Sequence, residues 1–275
     1  MSPDDTEDLT RKQRREQARE ERRALEAAEA ARGARRKRLT QLGVVATVVV
    51  IAIVAIAVAV GSGGSKAPPK KASHEAESAL ATVKSTVDGI PQAGNVLGTP
   101  TAPVTLQYFG DLECPICKEF TLGALPSIIQ KWVRADKLRI EYRSLETATR
   151  EPEVFKTQQI AALAAGKQNK LWYFVELFYH EQGEEDSGYV TESYLRGLAE
   201  QVPGLDLAKW NADRNDAEFA TQVAADAQAA NNEGFNGTPS FLIGTTGGAM
   251  KKLGEVSLTE PTGFDEAIES LLKAS

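Results

Sequence analysis

The chain has 275 residues, 25% charged and 42% hydrophobic, with a net charge of −6. That composition fits a folded protein with one good-sized domain plus extras, and it excludes collagen-like, disordered and small disulfide-scaffold classes. Two cysteines (Cys114, Cys117) and two histidines (His74, His180) permit one disulfide and leave too few soft ligands for a closed Cys/His zinc site.

Charge is spread unevenly. Residues 1–38 hold 12 Lys/Arg against 9 Asp/Glu, and the rest of the chain holds 20 against 29. The first block mixes both signs and has almost no apolar stripe, so residues 1–41 read as a solvated, topology-setting tail rather than a nucleic-acid arm. Residues 42–60, LGVVATVVVIAIVAIAVAV, are uncharged. At ~1.5 Å per residue they span ~28 Å and are apolar all round, which predicts a transmembrane helix. Arg32, Arg35, Arg36, Lys37 and Arg38 crowd its N-terminal side. Positive charge inside puts that end in the cytoplasm and the larger part of the chain outside, where a disulfide persists. The competing reading is a cleaved secretory signal, with Ala57-Val58-Ala59 as a small-residue cleavage site. The apolar run exceeds the usual ~7–15 residues and has a long segment before it, so an uncleaved signal-anchor is expected. Residues 61–89 begin GSGG and continue with APPKK at 67–71, an extracytoplasmic linker that is flexible first and stiffer later. A short helix is predicted over 74–87, and the compact domain from Ile90.

From there the pattern is mixed α and β. Alternation predicts strands over 104–109 and 137–143, with a broken helix between them that is interrupted at Gly123 and Pro126. Residues 153–231 are helical in pattern. Strand-like stretches at 239–243 and 251–256 follow, joined by a turn, and a last helix covers 262–273. This order is α/β. Trp132, Trp172 and Trp210, with Phe174, Phe178 and Tyr179, read as core of the helical stretch, and His180 as a helix-end residue.

Cys114 and Cys117 stand three residues apart at a helix start, on one face and within disulfide reach. Unpaired N–H groups and the helix dipole stabilise a thiolate there, and the first cysteine of such a pair is the usual nucleophile. Pro115 suits the first turn, where it forfeits no hydrogen bond. A structural disulfide or half of a metal site is the bland alternative.

The run Phe109-Gly110-Asp111-Leu112-Glu113-Cys114-Pro115-Ile116-Cys117, preceded by Ala102-Pro103-Val104-Thr105-Leu106, resembles the start of a DsbA-like thioredoxin-fold protein. Residues 161–180, AALAAGKQNKLWYFVELFYH, resemble that family's helical insert, and Asn236-Gly237-Thr238-Pro239-Ser240-Phe241 its loop-to-strand turn. The resemblance covers about 90–273. It implies a thioredoxin fold over 90–275 with a helical insert at about 151–233. It also implies a Cys114–Cys117 redox disulfide, a cis Pro239, and Thr238, Pro115 and Ile116 against the substrate. In this chemistry a substrate thiolate attacks the Cys114 sulfur, Cys117 leaves, and a second substrate thiol resolves the mixed disulfide. The expected function is a membrane-tethered, extracytoplasmic thiol–disulfide oxidoreductase that introduces disulfides into exported proteins with free thiols. No cofactor is expected, the protein is expected to be a monomer, and a quinone-linked membrane partner would reoxidise it. A reductase or isomerase on the same scaffold, or a non-catalytic anchored binding protein, is the alternative. The chain departs from the pattern at Tyr108, six residues before Cys114, where thioredoxin-like proteins often carry a buried acid that moves protons at the second cysteine. Asp111 and Glu113 are the closer carboxylates, and the proton acceptor for Cys117 stays open.

Overall fold

The computed structural model describes residues 70–274. The expected tail (1–41), the apolar segment 42–60 and residues 61–69 of the expected linker lie outside the described residues. Among the described residues no helix is long and apolar enough to cross a membrane.

Strand β3 (Val104–Gly110) is buried along nearly its whole length, with only Gln107 half-exposed, as a strand covered on both faces must be. It lies beside β4 (Leu138–Ser144), whose buried and half-buried positions alternate. The two pair in parallel, Leu106 opposite Ile140 and Tyr108 opposite Tyr142. Parallel strands need a crossover. It is built from α2 (Pro115–Leu122), α3 (Ala124–Ile128) and a π turn (Ile129–Val133). On the other side of β3 runs antiparallel β5 (Ser240–Thr245), followed by β6 (Met250–Lys252). A hairpin of two-residue strands, β1 (Gln92–Ala93) and β2 (Val96–Leu97), extends the opposite edge, giving the order β1-β2-β4-β3-β5-β6.

Of the two interruptions expected in the crossover, Pro126 makes none, since it sits in the first turn of α3 where its missing N–H forfeits no helix bond, and the break falls at Gly123. A Cβ there would lie 2.7 Å from both the Glu119 and the Leu258 carbonyl oxygens. The close approach lets the Ala124 N–H donate to Leu258 O at 2.9 Å, so the segment before the last helix is stitched to the break.

Five helices separate β4 from β5: α4 (Pro152–Gly166), α5 (Leu171–His180), α6 (Glu192–Gln201), α7 (Leu207–Asp213) and α8 (Ala217–Asn232). Helix α5 is buried from Leu171 to Tyr179, which its apolar sequence requires. Trp172, Phe174, Phe178, Tyr179 and Trp210 are fully buried. Trp132 departs from the expectation: it sits in the π turn, half-buried, and its indole donates to Asp265 of the closing helix α9 (Thr262–Ala274) at 2.5 Å. An indole with a polar tip finds its partner at the edge of the core rather than inside it.

The N-terminal boundary also differs. Helix α1 (Lys70–Val87) begins before residue 74, and its Val83 and Val87 are fully buried. Leu80, Val83 and Val87 recur at helical spacing on one face, and α1 packs on α5. The compact fold therefore starts before Ile90, and the last turns of the expected linker belong to the core. Arg134 secures the end of α1: its guanidinium donates to the carbonyls of Ser85 (3.1 Å), Thr86 (2.9 Å) and Asp88 (3.1 Å), groups a helix terminus otherwise leaves unpaired.

Candidate active site

β3 ends at Gly110, and the next residue holds the loop that leads into α2. Asp111 is fully buried. Its Oδ2 accepts from three successive backbone N–H groups, Thr147 (3.0 Å), Ala148 (2.9 Å) and Thr149 (3.0 Å). Its Oδ1 accepts from Glu113 N–H (3.1 Å) and the Thr149 hydroxyl (2.6 Å). Charge-assisted bonds of this kind are the strong ones, and they tie the loop after β3 to the loop after β4. The carboxylate is thereby committed to the loops. Glu113 is buried beside it, and burial pushes its carboxyl up.

With the loop fixed, Cys114 becomes the N-cap of α2. Its backbone is extended, its sulfur accepts from the Cys117 N–H at 3.4 Å, and Pro115 opens the first turn. Its thiol donates to the Thr238 carbonyl at 3.4 Å. The Cys117 thiol beside it holds the Cys114 pKa down to about 6, against the opposing effect of burial and with help from the Thr238 hydroxyl and the N–H groups of Cys117 and Ile116. Cys117 lies one turn inward and fully buried, and burial pushes its thiol up. Both cysteines are free thiols. One sulfur is thus poised to ionise and the other to stay protonated.

Around Cys117 stand three phenols. Tyr108, Tyr142 and Tyr179 are all pushed up by burial first and by the charge of Cys117 next. The Tyr108 hydroxyl donates to Tyr179 (3.1 Å), which donates to the Asp111 carbonyl (3.1 Å). Tyr108 also stacks on Phe241 with ring centres 5.6 Å apart.

The remaining expected residues converge on the same place. The Thr238–Pro239 peptide is cis. Ile116 is 46% exposed, Pro115 is exposed, and Thr238 and Pro239 are half-buried. Ile116, Phe235, Pro239, Leu253, Val256 and Leu258 line a groove of about 680 Å³. Two contributors carry no signal in the sequence. The Thr147 hydroxyl bonds to that of Thr238 across the site. The Gln182 side chain donates to the carbonyls of Leu112 (2.7 Å) and Cys114 (3.1 Å). His180, the last residue of α5, is half-buried and its pKa is lowered, by burial first and by Lys118 next.

An activated thiol at a helix N-terminus, a buried second thiol one turn away and a backbone carbonyl facing the pair form the arrangement that thiol–disulfide exchange requires, at the end of a thioredoxin-like sheet. The family model described as thioredoxin matches residues 92–252, and the chain belongs to that family. Disulfide bond formation protein D of Bacillus subtilis is 28% identical over 155 residues, covering 54% of this chain and 66% of that relative. The Na(+)/H(+) antiporter NhaA 1 of Salinispora arenicola is 30% identical over 153 residues, which is 56% of this chain and 22% of the antiporter. The oxidised crystal structure of BdbD from Bacillus subtilis shares the fold, with a TM-score of 0.56 at 23% identity over 68% of this chain and 98% of that one. The chain is a thiol–disulfide oxidoreductase.

Proposed function

We propose that the chain is an oxidase that introduces disulfides into exported proteins, working through Cys114 and Cys117 on the outer side of a membrane. The observation that carries this is the Cys114 thiol, held at a pKa of about 6 beside an open groove. A low pKa stabilises the reduced enzyme as a thiolate, which makes its disulfide the stronger oxidant. The name of the Bacillus subtilis relative, disulfide bond formation protein D, supports the same direction.

The steps follow from the geometry. A substrate thiolate attacks the Cys114 sulfur, forming a mixed disulfide, and Cys117 departs inward. A second substrate thiolate then attacks the substrate sulfur, forming the substrate disulfide, and Cys114 departs as a thiolate that its surroundings already stabilise. The Thr238 carbonyl, 3.4 Å from Cys114, is available to an extended substrate backbone, while Pro115, Ile116 and Pro239 supply apolar contact. A membrane anchor at 42–60, the cytoplasmic tail, monomeric action and a quinone-linked partner that reoxidises the pair complete the proposal; the uncharged apolar sequence and its basic N-terminal flank support the anchor.

The test is catalysed oxidation of a reduced, unfolded test protein by the oxidised chain. Wild type should introduce disulfides in stoichiometric amount and Cys114→Ser none. Equal yields from the two would overturn the reading.

A further inference from the structure

The turn between α8 and β5 leaves part of its backbone open. The Phe235 N–H donates to Ala230 O at 2.9 Å, closing the end of α8, and β5 begins at Ser240. Between them, among the described residues, no acceptor meets the backbone N–H of Asn236, Gly237 or Thr238. The Asn236 side chain is exposed and has no hydrogen-bond partner there either. A Cβ added to Gly237 would meet nothing within 4 Å. Three bonds hold the segment, and none touches Asn236 or the Gly237 nitrogen. The Ser240 hydroxyl donates to Gly237 O at 2.7 Å, the Cys114 thiol donates to Thr238 O at 3.4 Å, and the Thr147 and Thr238 hydroxyls bond to each other.

That exposure matters because of what the two residues can do to each other. The nitrogen after an asparagine can reach the side-chain amide carbon and close a five-membered ring. Glycine permits this best: it has no side chain to shield its nitrogen, and its backbone takes conformations other residues avoid. Of the seven asparagines in the chain, Asn236 is the one followed by glycine. Asn231 and Asn232 lie in α8, and the Asn95 amide is bonded to Tyr142 O at 2.8 Å. An asparagine that serves only a turn usually bonds its own backbone two residues on. Asn236 makes no such bond, so the fold does not tie down its amide.

We propose that Asn236 is a site of spontaneous deamidation, and that the carboxylate so formed on the groove wall slows exchange at Cys114. The step balances. Hydroxide takes the proton of the Gly237 nitrogen, that nitrogen bonds to the Asn236 Cγ, and the side-chain nitrogen leaves as ammonia. Water then opens the succinimide, giving aspartate if the new bond breaks and isoaspartate if the old peptide bond does. Asn236 lines the groove with Ile116 and Thr238, and the charged groups already there are one of each sign, Lys252 and Glu255. Lys252 stands over the Phe235 ring, 5.5 Å from its centre. A second carboxylate tips this balance, opposing both the Cys114 thiolate and the approach of a substrate thiolate. Isoaspartate also routes the main chain through the side-chain carbon, two residues before the carbonyl that meets Cys114. The modification stands on the turn alone; its effect rests on the exchange reading above.

The experiment incubates the folded, oxidised full chain in detergent and mildly alkaline buffer, beside a free peptide of residues 233–240. Trypsin digestion in mildly acidic buffer and fragment-ion mass spectrometry then locate any amide-to-acid change. Tryptic peptide 215–251 carries Asn215, Asn231, Asn232 and Asn236 together. Conversion should appear at Asn236 first, and isoaspartyl methyltransferase should label the product. An intact Asn236 after the free peptide has fully converted overturns the proposal, as does conversion of Asn231 or Asn232 at the same rate. Anion exchange then separates converted from unconverted chains of one sample. The converted fraction should oxidise a reduced test protein ~2-fold or more slowly, the scale of like-charge repulsion near a solvated surface. Its Cys114 alkylation midpoint should lie above the value of about 6 in the unconverted chain. Equal rates in the two fractions overturn the proposed effect. An unconverted fraction that oxidises nothing would instead mean that the exchange reading itself has failed.

Discussion

Cys114 and Cys117 are the same side chain in opposite surroundings. The first caps a helix beside a thiol donor and a threonine; the second is sealed among aromatic rings. Iodoacetamide should therefore modify Cys114 with a rate that rises through pH about 6 and is nearly flat above pH 7.5, while Cys117 in the folded protein stays unmodified. Matching rates at both, with midpoints near ~8.5, would remove the activated thiolate. Asp111 is predicted to matter as a clamp. Asp111→Ala removes the acceptor of four backbone N–H groups, of which those of Glu113 and Thr149 are buried, and at ~1–3 kcal/mol for each buried donor the loss in urea unfolding should be ~2 kcal/mol or more. A change within ~0.5 kcal/mol would contradict that role. The pair of cysteines, Pro115, Ile116, Thr238 and Pro239 are legible in the sequence because each belongs to a short motif. Thr147 and Gln182 are not, because they meet partners 91 and 68 residues away, and only the fold sets those distances.

Elements with a strong period are the ones the sequence announces. β3, β4 and α5 carry alternation or a solid apolar run long enough to register. The β1–β2 hairpin escapes, since two-residue strands have no period and exist only through pairing with β4. The start of α1 escapes for a related reason: lysine, serine and proline around residue 70 read as linker, and the helix is held by tertiary packing of its far end. That gives a prediction. Arg134→Ala should free three carbonyls at the end of α1 and speed amide exchange in residues 80–87, with a loss of ~1 kcal/mol in overall stability. At Gly123 the break is dictated by contact rather than propensity. Gly123→Ala forces a methyl to within 2.7 Å of two carbonyl oxygens and should cost ~1–3 kcal/mol by urea titration, although alanine favours helix.

For the molecule as a whole, the titration of Cys114 links redox state to stability. Its folded pKa is depressed, so the reduced form gains stability as pH rises from about 6 towards the unfolded value and loses it as pH falls through about 6. The oxidised form lacks this group. The melting temperature of the reduced chain, minus that of the oxidised chain, should therefore climb between pH 6 and 8.5, with ionisations common to both forms largely cancelling. A flat difference would mean that Cys114 is not ionised in that range. Orientation is tested separately: protease added to intact cells should remove the domain after residue 69, and full protection would reverse the proposed topology.

The most direct test of the central claim is the reduction potential of the Cys114–Cys117 pair, measured at equilibrium in glutathione buffers at pH 7. A thiolate stabilised to the extent described makes the disulfide oxidising, so the value should lie above about −200 mV, on the side of disulfide-donating enzymes. A value near −270 mV, on the side of thioredoxin-type reductants, would contradict the account.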